Sequence, residues 1–300
     1  MAIGQRFVSL GNFDGSITAG GTIQFNPPRK NTYNAIYLKL LNNSGNKLTK
    51  AQIEDAIMDV ECIINGDQKI KLPAKFLIAI FEARTGLTCP NGYIPILFAN
   101  DKYVSFEQKV LSSWGMADVT SFQIYVNLGT TLYNLDVVKV YADITPVEAP
   151  IGLHQCYTYQ TSGIIPQGEL DCTTLATFGA DARLQALYVN NPTAGMTQEI
   201  LITNEYLEVN GVIMLRQNID HFDCEIANMA YGNEVPTILG SAFRFDSGDD
   251  IRTTLAMSTI NQMRYRAMCD LNGYTSPYVL TFVYEFLRGY TSTEKKLQTA

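Results

Sequence analysis

The chain has 300 residues, 46% of them hydrophobic and 17% charged, with 22 Lys and Arg against 29 Asp and Glu, for a net charge of −7. That length allows two domains of roughly 150 residues each, and the apolar content excludes a disordered chain. The acidic balance argues against a phosphate-binding surface, which needs a clustered positive field. The longest apolar run, Phe76–Phe81, is far short of the roughly 20 residues of a membrane-spanning helix.

Polar duty falls on uncharged side chains, with 27 Thr and 21 Asn. Thr, Tyr and Phe suit half-buried strands, and Asn and Gly suit turns. Gly20-Gly21, after Thr18-Ala19, reads as a turn into the first strand. Strands are predicted at Asn34–Leu41, Val60–Ile64, Tyr93–Phe98, Ser121–Leu128 and Asp136–Ile144, each a short β-branched, aromatic or aliphatic run between turn residues. A second series follows at Leu184–Val189, Glu199–Thr203, Tyr206–Val209, Val212–Leu215, Arg264–Leu271 and Tyr278–Leu287. Helices are predicted at Pro73–Thr85, closed by Gly86, and at Asp220–Tyr231, closed by Gly232. A shorter one begins at Thr49, where Thr49 caps, Gln52 reaches back and Leu48 staples against Ile53.

The two series repeat each other. Asn65-Gly66 and Asn210-Gly211 each follow a strand, and Asn-Gly between apolar runs is a strong hairpin signal. A helix follows each hairpin, then a strand (Phe122–Leu128 and Tyr265–Leu271), then a closing strand (Val138–Asp143 and Thr281–Phe286). Each landmark recurs after roughly 145 residues, which marks a structural duplication. The halves meet at Thr145–Gly152. The expected fold is all-β: two tandem eight-stranded jelly rolls with short inserted helices, spanning 1–148 and 149–300.

Catalytic chemistry is hard to find. The chain has two histidines, His154 and His221, too few for a metal-binding double barrel. His221 reads as a polar group at a helix start. No G-x-S-x-G, Walker A or G-x-G-x-x-G motif is present. Asp246-Ser247-Gly248-Asp249-Asp250 could offer oxygens to calcium, but its spacing reads as a solvated turn. Asn42-Asn43-Ser44 marks an exposed turn. Lys295 and Lys296 lie in a polar tail that reads as a flexible terminus, with contact to an anionic surface as the sharper reading. Trp114 and the Tyr and Phe residues read as core and interface material. No basic and then apolar segment opens the chain, so no signal peptide is expected. The six cysteines, Cys62, Cys89, Cys156, Cys172, Cys224 and Cys269, form no C-x-x-C pair and are expected to be reduced.

Residues 12–72 carry a resemblance. Asn12-Phe13-Asp14-Gly15 leads to a polar strand ending near Asn26-Pro27, then Tyr33-Asn34-Ala35-Ile36-Tyr37-Leu38. Leu48-Thr49-Lys50-Ala51-Gln52-Ile53 follows, and then Val60-Glu61-Cys62-Ile63-Ile64-Asn65-Gly66. This order resembles the amino-terminal barrel of double jelly-roll major capsid proteins of tailless icosahedral viruses. The likeness is to the corticovirus type and to the similar coat of a lipid-containing flavobacterial phage. The second half matches only in layout.

The resemblance implies a structural coat protein, not an enzyme, with no catalytic, cofactor-binding or metal residues to carry over. It implies a homotrimer forming a pseudo-hexagonal tile, in contact with neighbouring capsomers and with minor penton or spike proteins. The tile would lie over an internal viral membrane, with Arg6, Lys295 and Lys296 freest to reach it and no direct binding of nucleic acid. The location implied is the virion, after assembly in the host cytoplasm. The alternative is a double-jelly-roll glycan-binding module, a lectin or a spike.

Overall fold

The computed structural model describes residues 6–99, 112–193, 196–217, 237–245, 254–275 and 277–289. The helix expected at Asp220–Tyr231, with His221 and Cys224, lies outside the described residues. So do the Asp246–Asp250 cluster, Lys295 and Lys296. The chain divides into two compact units, Met1–Thr158 and Tyr159–Ala300.

In the first unit, one sheet runs in the order β1 (Arg6–Asn12), β9 (Leu135–Thr145), β3 (Thr32–Asn42) and β6 (Tyr93–Leu97), with the short β7 (Trp114–Gly115) also on β3. The other runs β5 (Asp67–Leu72), β4 (Ile57–Ile64), β8 (Phe122–Leu128) and β2 (Thr22–Phe25). Alternation sets the inward faces. Phe122, Ile124, Val126 and Leu128 of β8 are buried while Gln123, Tyr125 and Asn127 between them are not. Val138, Val140 and Ala142 of β9 face inward in the same way.

The second unit repeats this wiring strand for strand. β10 (His154–Ile164), β18 (Val279–Arg288), β12 (Arg183–Asn190) and β15 (Ser241–Arg244) run in that order, with the short β16 (Leu255–Ala256) on β12. β11 (Gly168–Cys172), β17 (Met263–Asp270), β13 (Leu201–Val209) and β14 (Val212–Gln217) complete the barrel. β10 is the strand that passes from one unit into the next. Within the first unit it makes a parallel bridge to β5 at one residue pair, Tyr157 with Ile70. Among the described residues, the other named strand pairings stay within their own repeat.

Helices α1 (Lys50–Ala56) and α2 (Ala74–Thr85) are inserted in the first unit. α1 carries the expected capping box: Thr49 accepts from the Gln52 amide, and the Gln52 side chain accepts from the Thr49 amide. α2 follows Pro73 and stops at Gly86, whose φ of 67° is left-handed. Glu82 ties the helices together, accepting from Lys50 of α1 and, at 2.7 Å, from the Cys89 amide.

Both hairpins behave as the Asn-Gly signal predicts. Asn65 and Gly66 have φ of 51° and 78°, and Asn210 and Gly211 have 49° and 80°. Each asparagine also pins the entry to the next strand. The Asn65 amide donates to the Ser121 carbonyl at 3.0 Å, and Asn65 Oδ1 accepts from the Thr120 and Ser121 amides. The Asn210 amide donates to the Gln262 carbonyl at 3.0 Å, and Asn210 Oδ1 accepts from the Asn261 and Gln262 amides.

The structure corrects several details. Ile64 pairs with Phe122, and Val209 pairs with Met263, so Met263 rather than Tyr265 is the counterpart of Phe122. The strands expected at Glu199–Thr203 and Tyr206–Val209 are one strand, β13, bulged between Thr203 and Tyr206, with Asn204 at φ 51°. Gly20-Gly21 opens β2, because a polar, exposed β1 precedes it.

Candidate functional site

Trp114 anchors the first core. Its ring stacks on Phe98 at 4.1 Å and meets Phe122 edge-on, and its indole N–H donates to the Gln155 carbonyl at 3.0 Å. In the second core, Tyr265 meets Phe243 and Phe282 edge-on, and Phe178 stacks on Phe286 at 4.0 Å. These aromatic groups pack against one another in the two cores.

No three His, Cys, Asp or Glu residues cluster to hold a metal among the described residues. His154 is buried at the start of β10, its Nδ1 at 3.1 Å from the Gly152 carbonyl. Cys62, Cys89, Cys156, Cys172 and Cys269 are free thiols. Burial pushes Cys89 and Cys172 up to about 11 and Cys269 to about 12, so these thiols are poor nucleophiles at neutral pH. An open crevice of about 520 Å³ is lined by residues that include Arg29, Lys30, Met116 and Glu148. Arg29 there is tied to the Thr120 carbonyl at 2.5 Å.

The outward sheet faces hold more ordered chemistry. On the β5-β4-β8-β2 face, Lys71 donates to Glu61 at 2.5 Å, Asn127 donates to Asp59 at 2.6 Å, and Thr22 donates to Asn127 at 2.7 Å. On the corresponding face of the second unit, Arg264 forks onto Asp171, and Arg266 donates to the Tyr206 hydroxyl at 2.8 Å. Those bonds from Arg264 hold the Asp171 carboxyl below the usual carboxylate range. Leu201, Ile213 and Met268 stand exposed beside this ladder. On the β1-β9-β3-β6 face of the first unit, Phe7 is 64% exposed, stacks on Tyr141 at 5.6 Å and leans on Tyr37 at 5.7 Å. Lys39 and Lys139 sit opposite each other in register on the same face.

Such faces, polar ladders edged with exposed apolar side chains, are suited to contact with other protein surfaces. Residues 8–145 match the family model described as the viral coat protein P2 N-terminal domain. That match spans the first barrel. The major capsid protein P2 from bacteriophage PM2 superposes with a TM-score of 0.75 at 14% identity, covering 95% of this chain and 97% of that one. The major capsid protein of Sulfolobus turreted icosahedral virus gives 0.67 at 13% identity, covering 96% and 98%. The PBCV-1 virus capsid gives 0.61 at 12% identity, covering 97% and 96%. No curated protein matches the chain by sequence. The fold of the whole chain is thus the double jelly roll of these capsid proteins.

The Asn-Gly turns and the Thr49 cap are legible in the sequence as fold signals, and the structure confirms their geometry. The outward ladders are not, because Arg264 and Asp171 lie far apart in sequence and only the β11–β17 register brings them together.

Proposed function

We propose that the chain is the major capsid protein of an icosahedral virion and acts as a homotrimer. The observation that carries this reading is the strand-for-strand repetition of wiring in two barrels, joined to a P2 coat-domain match over the first. Three copies of a two-barrel subunit supply six similar barrels, so threefold symmetry yields a pseudo-hexagonal tile that can meet its neighbours with repeated contacts. A surface with little charge favours close packing of identical copies, and only 17% of the residues are charged. The role is structural, not catalytic.

In this reading the tiles also meet minor penton or spike proteins, and assembly takes place in the host cytoplasm. One end of the subunit lies over an internal membrane, reached by Arg6, Lys295 and Lys296; a basic side chain near an anionic bilayer contributes about 1 kcal/mol. Electron microscopy of the purified chain at rising concentration tests the tile. Pseudo-hexagonal particles that grow into sheets or shells support it, and dispersed single subunits contradict it. Co-sedimentation with anionic and neutral liposomes tests the membrane contact. Binding that needs anionic lipid and falls in the Arg6→Ala/Lys295→Ala/Lys296→Ala variant supports it; unchanged binding removes it.

A further inference from the structure

The interior of the second barrel contains a carboxyl group that the coat role does not use. Glu205 on β13 is 3% exposed, and its Oε2 has no hydrogen-bond partner among the described residues. The β13 bulge between Thr203 and Tyr206 turns it into the core. Asn204, at φ 51°, takes up the extra residue and stays exposed.

Among the described residues, the groups facing Glu205 are neutral. Tyr265 and Cys269 approach from β17, Ser241 from β15, and Cys172 stands next to Tyr265 on β11. Arg264 and Arg266 alternate with Tyr265 along β17 and so point to the opposite face, where they pair with Asp171. No cation therefore faces Glu205 among the described residues. An ionised carboxylate in such a place bears a cost of lost hydration that Ser241 and Tyr265 offset only in part.

The first barrel supplies the control. Val60 stands as far before Asn65 as Glu205 stands before Asn210, and it is fully buried against Val126. A valine therefore serves this position in the same wiring, so the fold does not itself demand an acid there.

We propose that Glu205 is a proton-operated latch: the second barrel is tightest while Glu205 carries its proton and loosens when the proton is lost. Burial raises the Glu205 carboxyl from an ordinary 4.5 to about 7, with contacts to Ser241 and Tyr265 offsetting part of the rise. The folded barrel then holds one more proton than the unfolded chain across that interval. Its stabilisation is complete below 4.5 and is lost as the pH rises through about 7.

The test is site-resolved hydrogen exchange of the full chain, corrected for intrinsic rates, from about pH 5 to about pH 8. The opening constant of β13 and β17 should rise about tenfold per pH unit up to about 7 and then level off. The opening constant of β4 and β8 in the first barrel should show no such rise. Glu205→Gln and Glu205→Val should flatten the slope in β13 and β17. A flat wild-type profile in these strands overturns the proposal, as does a slope that survives in either variant. If both variants fail to fold, the wild-type comparison of β13 and β17 with β4 and β8 decides alone.

Discussion

Behind the Asn65-Gly66 turn, the inward positions of the first barrel hold Ile64, Cys62 and Val60, all buried. Behind Asn210-Gly211, the second barrel holds Val209, Leu207 and Glu205 at the matching distances. Across the sheet, Ile124 in the first barrel answers to Tyr265 in the second. One wiring diagram therefore tolerates an apolar core and a core with a buried acid and phenol. Wiring depends on the turns, the register and the inward alternation, and these are shared. Core identity is free to drift as long as volume is filled and polar groups are tolerated.

The strongest way to separate the barrels is Trp114→Ala. Removing the indole leaves a cavity beside Phe98 and Phe122 and should cost about 4 kcal/mol. Hydrogen exchange should accelerate in β3, β6 and β8 while β13 and β17 keep their protection. Equal acceleration in both units would break the picture of two barrels with separate cores.

The next effect tests what they share. Asn65→Ala and Asn210→Ala each force alanine to positive φ and remove the acceptor that pins the following strand. Each should cost about 2 kcal/mol in its own barrel, measured by urea unfolding with exchange readout. A silent substitution at either site would show that the two turns are not equivalent.

A smaller effect belongs to the first barrel alone. Thr49→Ala removes one half of the capping box and should cost about 1 kcal/mol. Thr49→Ser should restore most of it, because the hydroxyl acceptor returns. Loss of protection should be confined to α1 and the start of β4.

Local chemistry makes much of this fold legible in the sequence. Asn-Gly requires positive φ at two adjacent residues, so both hairpins can be placed, and T-x-x-Q reads as a cap. Polar strands are harder to see. β1 is mostly exposed, and β10 carries His154, Gln155, Thr158, Gln160 and Ser162, so neither shows a clear apolar alternation. Glu205 is invisible as a core residue because the Asn204 bulge, which reverses the inward phase, depends on pairing with a distant strand. The outward faces depend on register in the same way, which is why the sequence points to assembly through the repeat, the low charge content and the coat-barrel resemblance.

In the proposed assembly, three subunits of two similarly wired barrels each make a six-barrel tile. Light scattering coupled to size exclusion, on the full chain at micromolar concentration, tests it most directly. A particle of three 33.3 kDa chains, unchanged on dilution, is the expected result. A monodisperse single chain that forms no larger assembly as its concentration is raised would contradict it.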